Sequence, residues 1–375
     1  MVPASGESLP EVGIGIVGYG LMGRLHAHGY TLAPRVRALP CRPRLRAISG
    51  RDAQAVARAA AAYGVEEWTT DWRELVARDD VQIVDVCTPP GVHAEVVEAA
   101  ADAGKAVLCE KPLATDYASA ARAATAAARV PNAIGFNYRR LPALALMKQL
   151  VDEGAVGDVL LWRGSWLSDE FLDPETPFDW RFDRSLGGST IADLGAHLVD
   201  LALWLVGDVA EVSAQSATFV TERSGRPVEV DDASSALLRF ENGARGSFEV
   251  AKTCARRPCD FGVEVNGTRG TLRFDYPRLN ELLFGDGSDE ARLYGLRRIR
   301  AEHPSHPYAG EWWPIGQGVG YGESFASQAA DLLERWPDGP WEPDLAWGAH
   351  VQAVCEAIEL AAALHRWVPV AEVTG

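Results

Sequence analysis

Short apolar segments alternate with alanine-rich segments through the first third of the chain. Segments rich in valine and isoleucine are typical of buried parallel strands, and the segments between them have the apolar spacing of helices. The pattern predicts strands at Gly13–Val17, Leu45–Ile48, Val81–Thr88, Ala106–Cys109 and Ala133–Asn137. It predicts helices at Ala53–Tyr63, Val92–Ala103 and Tyr117–Ala128. This alternation predicts a parallel sheet that is covered by helices on both faces.

The chain after about residue 135 has a different pattern. From Val209 to Ile299, short strands follow one another with turn signals between them. The turn signals are Asn242-Gly243, Asn266-Gly267 and Asp286-Gly287. Ala236–Phe240 and Gly246–Val250 flank the first of these turns and predict a hairpin. The pattern therefore predicts a large, mostly antiparallel sheet.

Helical segments accompany this second sheet. They are Leu141–Glu153, Ile191–Leu205, Phe325–Arg335 and Trp347–Leu364. We predict an α/β domain over residues 1–135 and an α+β domain over residues 136–375, the latter with its helices on one face of an open sheet.

Composition limits the partners and the compartment. Hydrophobic residues make up 47% of the 375 residues and charged residues 23%, as in an ordinary globular chain. The formal net charge of -16 argues against nucleic acid and membrane surfaces as partners, because both require a basic footprint. No apolar run approaches the ~20 residues of a membrane helix, and no secretory signal is visible. We expect a cytoplasmic protein whose six cysteines are free thiols.

A glycine-rich motif follows the first predicted strand and opens a helix. It reads Gly18-Tyr19-Gly20-Leu21-Met22-Gly23, and in this context G-x-G-x-x-G indicates a Rossmann dinucleotide site. Gly18 would make the tight turn, Gly20 would admit the pyrophosphate, and Gly23 would let helix and strand pack closely. The pyrophosphate of NAD or NADP would then lie at the helix N-terminus, where N–H groups favour an anion.

The tip of the second strand, Ser49-Gly50-Arg51-Asp52, bears on the choice of coenzyme. A carboxylate at this tip binds the ribose hydroxyls and repels a 2′-phosphate. Asp52 either has this role or caps the helix that begins at Ala53. Arg51 either stacks on the adenine or pairs with a phosphate. We expect Ser49, Arg51 and Asp52 to contact the coenzyme, and the local chemistry favours use of both NAD and NADP.

Further motifs occur in a characteristic order. Thr88-Pro89-Pro90 and His93-Ala94-Glu95 lie at and after the end of the predicted strand Val81–Thr88, Glu110-Lys111-Pro112 follows the predicted strand Ala106–Cys109, and Asp193-Leu194-Gly195-Ala196-His197 comes later. Together with the glycine motif, these resemble the Gfo/Idh/MocA family, the glucose–fructose oxidoreductase and inositol dehydrogenase family, over the whole chain. The resemblance implies a Rossmann domain and hydride transfer to a nicotinamide. It also implies an open antiparallel sheet through which the chain forms a homo-oligomer, a dimer or a tetramer.

A narrower likeness appears in the second half of the chain. Phe136-Asn137-Tyr138-Arg139-Arg140, Asp179-Trp180-Arg181-Phe182-Asp183 and the segment from His306 to Pro314 resemble the levoglucosan dehydrogenase and inositol dehydrogenase branch. The likeness implies a sugar, anhydrosugar or cyclitol substrate and favours NAD over NADP. Relatives in that branch continue with Gly-His and Gly-Tyr-Glu-His, where this chain has Gly316-Gln317 and Gly320-Tyr321-Gly322-Glu323. The expected substrate-binding residues are Tyr138, Arg139, Trp166, Trp180, Arg181, Asp193, His197 and Tyr321.

Three residues have the chemistry needed to oxidise a secondary alcohol. Lys111 lies just past the carboxyl end of a strand, where ligands bind in open α/β sheets. Asp193 and His197 are four residues apart in a predicted helix, so both project from one face. Because histidine exchanges a proton near neutral pH, we expect His197 to be the acid/base, with Lys111 sharing the proton relay. Asp193 would orient His197 or bind a neighbouring hydroxyl, and the family resemblance implies that the set is catalytic.

Other residues are expected to border the coenzyme or to be structural. Thr88, Pro89, His93, Glu110 and Lys111 would line the coenzyme, although His93 alternatively packs at a helix N-terminus. His26 and His28 lie two residues apart on the first helix, face different sides and are expected to be structural. No set of histidine, cysteine and carboxylate residues has ligand spacing, so we expect no metal site.

Two other functions are compatible with such a fold. One is an NAD-dependent glycosidase that uses a transient hydride step, and the other is a non-enzymatic dinucleotide sensor. The presence of Lys111, Asp193 and His197 together favours an enzyme.

Overall fold

The computed structural model of the protein describes residues 9–375, which form two compact units. The first unit contains residues 9–114, 118–140 and 320–349, and the second contains residues 115–117, 141–319 and 350–375. The predicted boundary at residue 135 lies near the main division at residue 140. Residues 320–349, however, belong to the first unit, whereas the sequence pattern predicted them in the second domain.

The first unit is built on a six-stranded sheet whose neighbouring strands are all parallel. Its strands are β1 (Glu11–Val17), β2 (Arg42–Ser49), β3 (Glu67–Thr69), β4 (Ile83–Val86), β5 (Ala106–Cys109) and β6 (Asn132–Ile134). Its first five helices are α1 (Leu21–Val36), α2 (Ala53–Tyr63), α3 (Trp72–Val76), α4 (His93–Asp102) and α5 (Tyr117–Ala127). The strand order β3-β2-β1-β4-β5-β6 is the doubly wound order of dinucleotide-binding domains, which confirms the predicted Rossmann fold.

The second unit is built on a nine-stranded sheet, ordered β16-β15-β14-β13-β7-β12-β11-β8-β17. Its strands are β7 (Val159–Leu167), β8 (Val209–Ala217), β11 (Ala233–Phe240), β12 (Arg245–Ala251), β13 (Asp260–Gly267), β14 (Gly270–Asp275), β15 (Glu281–Asp286), β16 (Arg297–Arg300) and β17 (Val368–Pro369), and β9 (Glu222–Arg223) pairs separately with β10 (Arg226–Pro227). The remaining α-helices among residues 9–375 are α6 (Pro142–Asp152), α7 (Ala196–Val206), α8 (Tyr321–Glu334), α9 (Leu345–Leu364) and α10 (Ala371–Thr374). Because β7 and β12 pair in parallel and all other neighbours are antiparallel, the predicted mostly antiparallel sheet is confirmed.

Helix α8 belongs to the first unit because it packs closely on α1. A Cβ atom on Gly29 of α1 would lie only 2.8 Å from the carbonyl oxygen of Phe325 in α8. Asn137 also donates to the Ser324 hydroxyl at 2.8 Å. Sequence patterns predicted α8 as a helix, but they could not predict its contact with Gly29, because the two segments are distant in the sequence.

Some local predictions were wrong. Asn266-Gly267 does not form the turn between β13 and β14, because both residues still pair in β13 and the turn comes at residues 268–269. By contrast, the turn at Asn242-Gly243 is confirmed, with Gly243 at a φ of 93°. The short elements β3 and α3 were not predicted, since three and five residues are too few to show a period.

One apolar segment contradicts the expectation of no run long enough for a membrane helix. The helical stretch Arg184–Val206 is long and apolar enough to cross a membrane. However, 83% of its most apolar part is buried inside the protein, as expected for the core helix of a globular unit.

Candidate active site

The three glycines of the phosphate loop have backbone surroundings in which a side chain is excluded at Gly18 and Gly23 and the space at Gly20 is open. Gly18 has a φ of 110°, which favours glycine, and a Cβ there would lie 2.6 Å from the carbonyl oxygen of Cys87. A Cβ on Gly20 would meet nothing within 4 Å, so this face of the loop is open. A Cβ on Gly23 would lie 2.1 Å from the carbonyl oxygen of Gly18, so helix and loop can approach only with glycine there.

The other residues of this loop differ in exposure. Tyr19 and Met22 are partly buried and pack on the core of the first unit, whereas Leu21 is 55% exposed. The Tyr63 hydroxyl donates to the carbonyl oxygen of Tyr19 at 2.9 Å. A Cβ on Gly50 would lie 2.0 Å from the Tyr19 ring, so Gly50 allows that ring to pack over the tip of β2.

At the tip of β2, Asp52 forms the helix cap that was one of its two predicted roles. Its carboxylate accepts the Ala55 N–H at 2.8 Å and caps α2. Arg51 is exposed beside it. The hydroxyl of Ser49 is buried without a hydrogen-bond partner among the described residues, so it is able to bond a ligand there.

Beyond β4, the predicted coenzyme residues divide into two kinds. The Thr88 hydroxyl is buried without a partner among residues 9–375, like that of Ser49, and Pro89 precedes a short turn into α4. His93 does not line the coenzyme with its ring, because both ring nitrogens contact main-chain oxygens. Nδ1 lies 2.8 Å from the Pro112 oxygen and Nε2 lies 2.6 Å from the Thr88 oxygen. Burial lowers the pKa of His93, and its role is the alternative one, packing at the start of α4.

Glu110 likewise faces the interior rather than the coenzyme, which corrects the prediction for it. Its Oε1 lies 2.9 Å from Nε2 of His26, and its Oε2 accepts the Lys111 main-chain N–H at 3.1 Å. On the other side of the imidazole, Nδ1 of His26 lies 2.8 Å from Oδ2 of Asp85. Glu110 therefore holds the backbone of Lys111, and His26 is structural, as predicted, within a buried triad with Asp85 and Glu110.

The triad lies next to a thiol, and this raises the question of a metal. His26, Asp85 and Cys87 offer ligand atoms within 4.8 Å of one another. The 2.8 Å separation of Nδ1 and Oδ2 is a direct hydrogen bond, shorter than the spacing of two atoms that share a metal. Burial is the largest of the influences that raise the pKa of Cys87, which disfavours the thiolate that metals require.

Tyr138, Arg139 and Tyr321, three of the predicted substrate residues, belong to the first unit. The rings of Tyr138 and Tyr321 are 5.8 Å apart. The Arg139 guanidinium lies 4.6 Å from the centre of the Trp347 ring, a cation–π contact. Gln317 is exposed, and Glu323 accepts the Gly320 N–H at the start of α8.

Asp193 and His197 belong to the second unit, on the continuous helical segment that leads into α7. Residues Ile191–Gly195 form a π-helical turn, and α7 continues from Ala196. Such turns occur frequently at functional sites. The sequence pattern predicted one regular helix here, because a single wider turn does not disturb the apolar stripe.

Buried polar groups anchor the start of this helical segment. The Ser189 hydroxyl accepts the Ala192 N–H at 2.9 Å and donates to Glu359 at 2.8 Å. Asp231 accepts the Thr190 N–H at 2.8 Å. Burial raises the pKa of both carboxyl groups, Asp231 and Glu359. These bonds fix the segment from which Asp193 and His197 project.

Two cations surround Asp193, and the sequence did not point to one of them. Lys252 Nζ lies 2.8 Å from Oδ2 of Asp193, and Nε of Arg181 lies 3.5 Å from the same oxygen. Arg181 also contacts Asp179 at 3.0 Å and lies over the ring of Trp180. A lysine at the end of an apolar strand was the only sequence signal for Lys252.

His197 is part of an aromatic stack. Its ring lies 5.5 Å from that of Trp166 with an interplanar angle of 29°, and Trp166 stacks in turn on Phe261 at 4.9 Å. His197 and Trp166 are both buried. The predicted residues Trp166, Trp180, Arg181, Asp193 and His197 are thus brought together in the second unit.

The residues of the first unit fit a nicotinamide dinucleotide. The loop is open over Gly20 at the N-terminus of α1, and the hydroxyls of Ser49 and Thr88 are buried without partners among the described residues. These groups would hold the pyrophosphate and the ribose, and a bound nicotinamide would supply a hydride acceptor.

Comparison with known proteins agrees with this fold and this site. Residues 12–138 match the model of the oxidoreductase family with an NAD-binding Rossmann fold, and residues 144–273 match the Gfo/Idh/MocA C-terminal domain. The chain belongs to the Gfo/Idh/MocA family of oxidoreductases, and its first unit is an NAD-binding Rossmann domain.

Several members of the family are similar over most of their length. The levoglucosan dehydrogenase of Pseudarthrobacter phenanthrenivorans is 36% identical over 98% of this chain and 100% of its own. A levoglucosan dehydrogenase structure with NADH and levoglucosan has a TM-score of 0.93, with 37% identity over 96% of this chain and 99% of that one. An oxidoreductase domain protein from Kribbella flavida has a TM-score of 0.94 and 43% identity over the same shares. The inositol 2-dehydrogenase of Rhizobium meliloti is more distant, 29% identical over 77% of this chain and 84% of its own.

Proposed function

We propose that the protein is a dehydrogenase that oxidises a secondary alcohol of an anhydrosugar, sugar or cyclitol, with NAD as the hydride acceptor. The observation that carries the proposal is the cluster in the second unit, where Asp193 meets Lys252 and Arg181 beside the stacked His197 and Trp166. The cluster combines charged groups for hydroxyls with aromatic faces for C–H surfaces, as sugar recognition requires. Similarity to levoglucosan dehydrogenase along nearly the whole chain supports it.

In this proposal each catalytic residue has a separate task. His197 takes the proton of the reacting hydroxyl as hydride leaves the carbon, because imidazole is the side chain suited to this transfer near neutral pH. Lys111 donates a hydrogen bond to the same oxygen and stabilises its developing negative charge. Asp193 accepts a hydrogen bond from a neighbouring hydroxyl and stabilises the imidazolium that forms.

The expected substrate contacts follow from the chemistry of the side chains. Trp166 and Trp180 would cover the apolar face of the ring, and Arg181 would reach its hydroxyls. Tyr138, Arg139 and Tyr321 are further expected substrate contacts. Because Gln317 and Glu323 occur in the segment where related chains have histidines, we expect a substrate preference related to that of levoglucosan dehydrogenase, with a different ranking of sugars.

For the coenzyme, we propose NAD as the better oxidant with measurable activity on NADP. The capping bond of Asp52 commits one carboxylate oxygen to α2, and the neighbouring Arg51 is a cation that tolerates a 2′-phosphate. The support for NAD is that the similar solved structures contain NADH.

A spectrophotometric screen tests the proposed function. Levoglucosan, glucose, xylose and myo-inositol would each be supplied with NAD and with NADP, and formation of reduced coenzyme would be followed. We expect turnover of at least one of these polyols, with NAD preferred. Hydrolysis of a glycoside without net reduction of NAD, or coenzyme binding with no turnover of any polyol, would contradict the proposal.

A further inference from the structure

Lys252 is a buried cation that no motif had indicated. It follows β12 directly and is 3% exposed, with its Nζ 2.8 Å from Oδ2 of Asp193 and 5.2 Å from the centre of the Phe171 ring. Its main chain is also fixed, since its N–H donates to Asp232 and its carbonyl oxygen accepts the Phe171 N–H. Lys252 therefore has little freedom to take another partner.

The two members of the ion pair differ in their access to ligands. The side chain of Lys252 is 4% exposed, whereas that of Asp193 is 17% exposed. A polyol can thus approach the carboxylate of Asp193, whereas the ammonium group of Lys252 is buried and out of its reach. Asp193 is therefore the group through which Lys252 can act most directly on a bound substrate.

Several other charged groups face this pair from neighbouring elements. Arg181 is the second cation on Asp193, and it is bound in turn by Asp179. The Asp231 carboxylate accepts hydrogen bonds from the Thr190 N–H and the Ser234 hydroxyl, so its hydrogen bonds are made to groups other than Lys252 and Asp193. Glu170 is a further charged group, because its carboxyl interacts electrostatically with Asp193, Arg181 and Lys252. His197 lies on the same helical segment as Asp193.

We propose that Lys252 is a positioning residue that keeps Asp193 ionised and fixed, so that Asp193 binds and polarises while His197 alone moves the proton. A nearby cation favours the charged form of a carboxylate, and a carboxylate held in this way is a weak base. This inference rests on the proposed function, since it assigns separate tasks to Asp193 and His197 in the same reaction.

The test uses the full chain and the best polyol from the screen, with NAD. Lys252→Met should lower kcat/KM about tenfold or more at neutral pH and move the acid limb of its pH profile upward by about one unit, because an Asp193 charge that Lys252 no longer balances favours the protonated form of His197. Lys252→Arg should restore most of the activity, since it keeps the cation. Lys148→Met is the matched control, because it removes a lysine from the exposed pair with Asp152 and should change neither value.

A double variant separates action through Asp193 from a merely structural role. In a chain that already carries Asp193→Asn, the further change Lys252→Met should leave the acid limb where it is. NADH affinity and thermal unfolding of each variant show whether the chain is folded. An acid limb that stays at its parental position in folded Lys252→Met would overturn the inference about Lys252 and leave the proposed function standing. Failure of the parent to oxidise any polyol would instead refute the proposed function, and the inference with it.

Discussion

Lys111 is held by its backbone while its side chain remains at the end of β5. Glu110 accepts its main-chain N–H, and the following carbonyl oxygen, that of Pro112, contacts the buried ring of His93. Two buried side chains from different elements thus fix the position of one partly exposed lysine. This arrangement is typical of a reactive side chain whose backbone is held in one orientation by its neighbours.

We predict that Lys111→Ala lowers kcat at least about a hundredfold while leaving NADH affinity within about twofold of the parent. The reason is that the ammonium group stabilises the reacting oxygen and lies outside the phosphate loop. Steady-state kinetics and a fluorescence titration with NADH measure the two values. Lys105→Ala, at the opposite end of the same strand, is the control. Near-parental turnover of Lys111→Ala would exclude the assignment.

Asp52 leads to a prediction about stability as well as coenzyme choice. Because its carboxylate caps α2, Asp52→Ala should lower the free energy of unfolding by about 1 kcal/mol. The ratio of kcat/KM for NAD to that for NADP should change by less than about tenfold, or ~1.4 kcal/mol. Asp71→Ala removes the comparable cap of α3 and should leave the ratio unchanged. A larger gain for NADP in Asp52→Ala would show that the carboxylate faces the ribose.

At the scale of elements, α1, β4 and the end of β5 are joined by the triad of His26, Asp85 and Glu110. Burial alone would lower the pKa of His26, but the carboxylate of Asp85 raises it well above its ordinary value of 6.5. The folded state therefore retains this proton. Its contribution to stability is fully present below the ordinary pKa of histidine and is lost as pH rises through the raised value.

We predict that both ring nitrogens of His26 remain protonated at about pH 8, above the range in which an ordinary imidazole loses its proton. Nitrogen NMR of chain labelled at histidine would measure this, with the His26 signal identified by its loss in His26→Asn. A His26 signal that titrates near pH 6.5 would mean that the triad holds a neutral ring.

The π-helical turn Ile191–Gly195 is the second feature that belongs to the element scale. It widens the helical segment where Asp193 projects and returns to regular α-helix before His197. The bonds of Ser189 and Thr190 to Glu359 and Asp231 anchor its start. The position of Asp193 therefore depends on an irregular turn as well as on the four-residue spacing.

At the scale of the whole molecule, the nine-stranded sheet leaves one face uncovered in the described chain. A shallow groove of about 740 Å³ crosses this face, lined largely by small and polar residues of β7, β8 and β11–β14. Leu161 and Leu237 are exposed on it, at 42% and 54%. A broad face with exposed leucines is typical of an interface between subunits.

We predict that the chain forms a homo-oligomer through this face. Leu237→Arg should shift the mass measured by light scattering towards the monomer, because a charge without an opposite partner would be buried between the subunits. Leu364→Arg, at the end of α9, makes the same change at a residue of similar exposure and should not alter the mass. Equal masses for the parent and both variants would place the interface elsewhere or exclude it.

Much of the fold could be predicted without coordinates, because it depends on local properties of the chain. A strand or helix shows its period within its own residues, and the glycines at 18, 20 and 23 are required by the turn in which they stand. The Rossmann sheet, the open antiparallel sheet, the hairpin of β11 and β12 and the helical segment that carries Asp193 and His197 all followed from such patterns.

What could not be predicted depends on groups that are distant in the chain and adjacent in space. His26 meets Glu110, Lys252 meets Asp193, and Phe325 meets Gly29 only after the chain has folded. Burial then decides which polar groups face the interior, as it did for Glu110 and His93. Motifs therefore identified the class of chemistry, whereas the charges and bonds that govern each side chain are set by packing between segments that no local pattern connects.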